Sequence, residues 1–407
     1  MDKENNMAKD LGAAVSVTNR VAFITFNFQK GIGGHYLSML QTARSNIFSK
    51  SLIIDVGYQP TALFDDERDV YIKYSITKSF SAFSQLKKFL IEKDVKLVMC
   101  YDNHSYTLAS PVCRLLGLKI VYVKCGGPRP KIYFPRAEYI ITYSKEDMTF
   151  FSEKLPGSEL VLIPNQVSEA KLLEQQVNLG ESFGRSSVSI VCIARLDQFY
   201  LGKINLAVAM VEDLRNKYQQ DASLFIIGSV QQQEVYAYLK ALQKPYLTIL
   251  TSENFTRDAA KFLNNFDASV STGRGAVESA LLGLKTYIPV NGSQDLALLS
   301  AENYDLLKAT NFSGRAKVDR QIARHSKVNQ LSASEVTVLT ETIRNDYTVE
   351  RSGTQFENFL QKIKPHTRMK IVNWMAGVGY FTYCGIRERN YFFRKNIYPA
   401  IAKVLKL

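Results

Sequence analysis

Residues 188–228 read VSIVCIARLDQFYLGKINLAVAMVEDLRNKYQQDASLFIIG. VSIVCIA (188–194) is an apolar run of strand length. KINLAVAMVEDLRNKY spaces its apolar residues as a helix does, and ASLFIIG (222–228) is a second short apolar run that stops at a glycine. Strand, helix, strand, with both strands largely apolar, predicts parallel pairing beneath covering helices.

The alternation continues in both directions. C-terminally it predicts a helix over QQEVYAYLKALQ, the strand LTILT, a helix over RDAAKFLNNF, the strand DASVST (267–272), a helix over AVESALLG and the strand KTYIPV. Towards the N-terminus, RVAFITFNF (20–28) is a buried-strand run, broken by Gly31, Gly33 and Gly34 before the helical HYLSMLQTARSNIF. SLIIDVG (51–57), KLVMCY (96–101), KIVYVKC (119–125), AEYIITYS (137–144) and LVLIPN (160–165) are further strands. A polar stretch at 168–187 separates the two series. The expected fold is therefore α/β: two Rossmann-like, doubly wound domains facing a cleft, at 20–167 and 188–361. A linker over 168–187 joins them, a polar leader over 1–19 precedes them, and a tail over 362–407 follows. The length of 407 residues agrees, since one core seldom serves so long a chain.

Composition narrows the class. Hydrophobic residues at 46% and charged residues at 22% exclude a disordered or low-complexity chain. Cys100, Cys113, Cys125, Cys192 and Cys384 are odd in number and widely spread, without zinc or redox-dithiol spacing, which points to a reducing compartment. The first residues lack the apolar core of a signal peptide, and no window approaches the ~20 apolar residues that span a bilayer. A cytoplasmic protein is expected. The net charge of +13 is concentrated at the end: residues 362–407 hold ten Lys or Arg against Glu388 alone, so only +4 is left for the rest. That excludes a whole-surface field for nucleic acid.

In open parallel sheets ligands bind beyond the carboxyl ends of the strands. After the strands of the first half come Gly33-Gly34, Asp102-Asn103-His104 and Lys124-Cys125-Gly126-Gly127. In the second half the most pointed stretch is Ser271-Thr272-Gly273-Arg274-Gly275-Ala276-Val277-Glu278-Ser279. A glycine turn there feeds a helix, whose amino end suits a diphosphate. Glu278, placed in the first helical turn, can accept hydrogen bonds from the vicinal hydroxyls of a ribose, or merely offset the helix dipole. Arg195 ends a strand and Lys203 starts the next helix; they are either two cations for a pyrophosphate leaving group or a surface arginine and a solvated lysine. The G-x-G-G spacing of Gly31, Gly33 and Gly34 lacks the last glycine of a dinucleotide fingerprint, which argues against a nicotinamide cofactor.

These pieces together resemble the GT-B glycosyltransferases, specifically the family 4 type. The resemblance rests on Gly33-Gly34, Ser144, Ile163-Pro164-Asn165, Arg195-Leu196, Lys203, Gly228, and Glu278 with Gly283 and Pro289, and spans roughly residues 20–300. It implies a retaining, metal-independent hexosyltransferase without a cofactor, using a nucleotide-sugar donor of UDP or GDP type. Arg195, Lys203 and His104 would be catalytic, the two cations on the diphosphate. Glu278, Gly273, Arg274, Gly275, Gly228 and Asn165 would bind the donor, Glu278 on its ribose. Gly33, Gly34, Lys124 and Gly126 would form an acceptor or phosphate loop. The acceptor would be a surface polysaccharide or oligosaccharide, as in lipopolysaccharide or capsule synthesis, carried on a lipid.

Three positions depart from the family pattern. Val270 stands where a second glutamate is common, Lys124 and its neighbours stand where a histidine is frequent, and Gly202 precedes Lys203 rather than following it. His104 is the nearest imidazole by topology, or a satisfied loop histidine. The missing glutamate keeps open a non-catalytic nucleotide-binding or scaffold module. The tail mixes aromatic and basic residues, as expected of a segment on an anionic membrane surface at the inner face of the membrane. It could equally return to pack on the N-terminal domain. A nucleic acid partner is not expected.

Overall fold

The computed structural model describes residues 20–27, 33–48, 50–61, 63, 64, 66–74, 79–126, 134–180, 186–319, 331–365 and 375. Gly31, Gly127, Cys384, the leader and nearly all of the tail lie outside the described residues. The chain divides into two units. The first takes the described residues of Met1–Thr142, Asp147–Leu162 and Thr354–Leu407; the second takes Tyr143–Glu146 and Ile163–Gly353.

The first unit carries β1 (Val21–Asn27), β2 (Leu52–Gly57), β3 (Val70–Lys73), β4 (Leu97–Cys100), β5 (Lys119–Lys124), β6 (Tyr139–Thr142) and β7 (Glu159–Leu162). Among the described residues these form one parallel sheet in the order β3-β2-β1-β4-β5-β6-β7. The helices are α1 (Gly34–Ala43), α2 (Ser79–Glu92), α3 (Asn103–Leu116) and α4 (Lys145–Lys154). β1 and β2 are buried at every residue, as their largely apolar runs suggest, Thr25, Asn27 and Asp55 being buried with them, and Ile24, Ile54, Leu86, Val98 and Val112 share one core. β3 was not predicted. It is a short edge strand with one buried residue among four, too polar to stand out.

The second unit carries β8 (Val188–Ile193), β9 (Ala222–Ile227), β10 (Leu247–Leu250), β11 (Ala268–Val270), β12 (Lys285–Val290) and β13 (Asp295–Leu298). Their order is β10-β9-β8-β11-β12-β13, parallel except for β13. α5 (Gln198–Tyr218), α6 (Gln233–Ala241), α7 (Arg274–Leu281) and α8 (Ala333–Tyr347) accompany it. β13 was also missed. It pairs back on β12 through Asn291, Gly292 and Ser293, all with positive φ, and Asn-Gly is the sequence signal that marks such a turn.

Two boundaries differ from expectation. The stretch at 168–187 is not a linker in its described part: Leu172 packs into the core of the second unit, and Val177 N donates to Lys261 O. The chain leaves the first unit at Leu162 instead, where an extended segment follows β7. The return comes before residue 362. α9 (Val349–Lys362) begins in the second unit, and from Thr354 its residues belong to the first, where Phe356 meets Phe48 at 5.6 Å between ring centres.

Candidate functional site

In the second unit the strand order reverses between β8 and β11, the neighbouring strands from which the sequence places its charged and glycine-rich segments. Arg195 lies two residues past the end of β8 and Lys203 lies in the second turn of α5. Asp197 caps α5 by accepting a hydrogen bond from Tyr200 N at 3.1 Å, which sets Tyr200 beside both cations. The Arg195 guanidinium lies 5.2 Å and the Lys203 ammonium 5.1 Å from the Tyr200 ring centre. The negative face of an aromatic ring attracts such groups, which otherwise repel one another. Lys203 is buried and donates to Ile193 O at 2.7 Å, so it is not a solvated lysine. Arg195 is 40% exposed, with Asp197 Oδ2 at 3.7 Å from its Nε.

Gly228 closes β9 against the same strand end. A Cβ there would fall 1.7 Å from Ala194 O, so glycine is required. Gly273 opens α7 with φ 56° and ψ −127°, a conformation for which glycine is suited, and its N–H donates to Phe312 O at 3.1 Å. A Cβ on Gly275 would make only ordinary contact with Ser271.

The helix places Glu278 differently from expectation. α7 begins at Arg274, so Glu278 is its fifth residue, one turn beyond the amino end. Its carboxylate is buried and accepts a hydrogen bond from Arg274 Nε at 2.6 Å. Burial pushes its carboxyl up from the ordinary range, and the Arg274 guanidinium opposes the shift. Arg274 was expected among the residues that bind the donor. Its guanidinium is buried against Glu278 and also donates to Gln166 O at 2.9 Å. That contact ties α7 to the segment after β7 that holds Asn165, itself buried. Val270, where the family pattern has a glutamate, is fully buried at the end of β11.

In the first unit the order reverses between β1 and β4. Gly33 and Gly34 start α1 after β1, and Asp102 and His104 start α3 after β4. Asp102 caps α3 through His104 N and Ser105 N, and also accepts Phe26 N at 2.7 Å. Burial pushes the His104 imidazole down to about 3, so the ring is neutral at neutral pH and a weak base. Lys124, at the end of β5, is turned inward. Its ammonium donates to Cys125 O and Gly126 O and lies 3.4 Å from Asp147 on α4. Both partners are almost fully buried, which makes the pair a brace for the loop carrying Gly126. Among the described residues no group of three or more His, Cys, Asp or Glu is placed to hold a metal ion, and no helix is long and apolar enough to cross a membrane.

Sequence reasoning passed over Tyr200, Asp197, Gln166 and Asp147. Asp197 could have been found, since an Asp just before a helical pattern is an N-cap signal, and Tyr200 then falls three residues on, where the cap reaches its N–H. The Gln166 and Asp147 contacts join segments far apart in the chain.

No protein-family profile matches the chain, and no curated protein matches it. Solved structures do. Anabaena HepE, in complex with UDP and glucose, is similar over 84% of this chain and 99% of its own, at 12% identity and a TM-score of 0.57. A glycosyltransferase from Rickettsia africae is similar over 84% of this chain and 100% of its own, at 12% identity and a TM-score of 0.59. The fold is that of the GT-B glycosyltransferases. Trehalose-6-phosphate synthase OtsA is similar over 85% of this chain and 100% of its own, at 13% identity and a TM-score of 0.52.

Proposed function

We propose that this chain is a glycosyltransferase of the family 4 type, moving a sugar from a UDP- or GDP-sugar to a glycan acceptor carried on a lipid, with retention of configuration and without a metal ion. The observation that carries the reading is the convergence at the β8/β11 reversal. Arg195 and Lys203 come from one strand end, and the glycine turn with Glu278 comes from its neighbour. HepE, of the same fold, was solved with UDP and glucose.

Cleaving the bond between the anomeric carbon and the diphosphate builds negative charge on phosphate. Lys203, held by Ile193 O, and Arg195, held over Tyr200, are cations placed in advance for that charge. The amino end of α7 adds its dipole, and Glu278 would receive the ribose hydroxyls. His104, being neutral, would act by hydrogen bonding rather than as a proton carrier. The tail would bring the protein to an anionic membrane surface at the inner face, where a lipid-linked acceptor is met.

The test is release of nucleoside diphosphate from a panel of UDP- and GDP-sugars, with and without a lipid-linked acceptor, in the presence of a chelator. The anomeric configuration of the product is read by NMR. Turnover of one donor with retention is expected. The buried Val270 favours a second reading, a nucleotide-binding module without turnover. Binding of UDP or GDP with no donor consumed would select it.

A further inference from the structure

Arg274 and Glu278 are four residues apart on α7 and therefore share one face of the helix. Their side chains are 6% and 9% exposed. The guanidinium is fixed at two points: Nε donates to Glu278 Oε1 at 2.6 Å, and Nη1 donates to Gln166 O at 2.9 Å. Gln166 is itself buried, so this anchor is a fixed part of the second unit. A planar fork with donors in two directions can make both contacts at once, which an ammonium cannot do with the same geometry.

A carboxylate in such a place needs a counter-charge, because burial favours its neutral form. Arg274 is the group that supplies one. Asp258, at the start of the turn over Ala259–Asn265 that packs on α7, adds negative charge, and Lys261 and Arg274 both act on it. β12 and α8 also pack on α7. The first carries Lys285, and the second carries Arg344, which pairs with Glu341 on the same helix and with Glu169. Among the described residues, the cation in direct contact with Glu278 is Arg274.

We propose that Arg274 is a positioning residue that works through Glu278. It holds the carboxylate ionised and in one orientation, the state in which vicinal hydroxyls of a ribose can donate to it. The inference rests on the ribose role given to Glu278 above. It refines the donor-binding role expected for Arg274, whose guanidinium serves the protein's own carboxylate rather than the donor directly.

The test is calorimetric titration of the full chain with UDP and with GDP between pH 5.5 and 8.5, each variant being expressed relative to the parent at the same pH. Arg274→Met is expected to bind at least about tenfold more weakly than the parent near pH 6 and to recover towards it by pH 8.5, as the uncompensated carboxyl loses its proton. Arg274→Lys is expected to show the same trend with a smaller deficit, and it carries the test if the methionine variant does not fold. A deficit of the same factor at every pH overturns the proposal. Glu278→Gln separates the two ideas. If it binds UDP and GDP as the parent does, the ribose role is what fails. The coupling is then read from thermal midpoints: Arg274→Met is expected to lose stability more steeply with rising pH than the double variant Arg274→Met/Glu278→Gln, and equal slopes overturn it.

Discussion

Tyr200 is where the two cations of the second unit converge, both about 5 Å from its ring centre. An attraction of this kind is worth ~0.5–2 kcal/mol. Tyr200→Leu is therefore expected to lower the steady-state rate of diphosphate release about tenfold, while Tyr200→Phe, which keeps the ring, stays within about twofold of the parent. A leucine variant as active as the parent would remove the ring from the site. Asp55, in mid-β2, is a different kind of residue. Its Oδ2 accepts Thr61 N at 2.7 Å, yet burial outweighs that bond and pushes its carboxyl up to about 6. A carboxyl raised on folding binds more protons in the folded state, so stability falls as pH rises from about 4 to 6 and stays lower above. Asp55→Asn keeps an acceptor for Thr61 without the charge. Relative to the parent it is expected to gain up to about 3 kcal/mol between pH 4 and 7. Thermal melts at the two pH values would show this, and a constant difference would contradict it.

At the scale of elements, Gly228 shows how closely the ends of β8 and β9 approach. Any side chain there meets a backbone carbonyl that cannot yield, so Gly228→Ala is expected to cost about 3 kcal/mol or more. Its urea midpoint should fall with the slope of the transition unchanged. Strands covered on both faces were legible because such strands are mostly apolar with no polar alternation: β1, β2, β8 and β9 all stand out despite single polar residues such as Asp55 and Ser189. β3 was not, since an edge strand needs only one apolar face; β13, whose Leu296, Ala297 and Leu298 are all buried, was announced by Asn291-Gly292 but is only four residues long. The polar stretch from 168 was misread because one anchoring residue, Leu172, suffices to fix a short helix. Lys124 resembled a ligand-facing cation because strand-end lysines often are. Its partner Asp147 lies 23 residues away, beyond β6, and no local pattern links the two. Glu278 was legible as a residue of interest. Its place one turn into α7 depended on where the helix begins, which a glycine-rich stretch does not reveal.

At the scale of the molecule, two doubly wound units were readable from alternation alone, whereas the points of exchange between them were not. The exchange at Leu162 falls inside an extended apolar stretch, and the one at Gly353 falls inside a helix, so neither coincides with a change in composition. The described cysteines are buried free thiols, and burial pushes those of Cys100, Cys113 and Cys192 up, which leaves them poor nucleophiles at neutral pH. The return of α9 to the first unit has a consequence for biosynthesis. Phe48 and Tyr139 meet Phe356 and Phe359, residues translated only after the whole intervening stretch Ile163–Gly353. At ~5–20 residues per second that stretch takes roughly 10–40 s to emerge from the ribosome. For that interval the nascent first unit presents uncovered aromatic surface, a natural target for chaperones, and it completes its own folding only after its successor has been made.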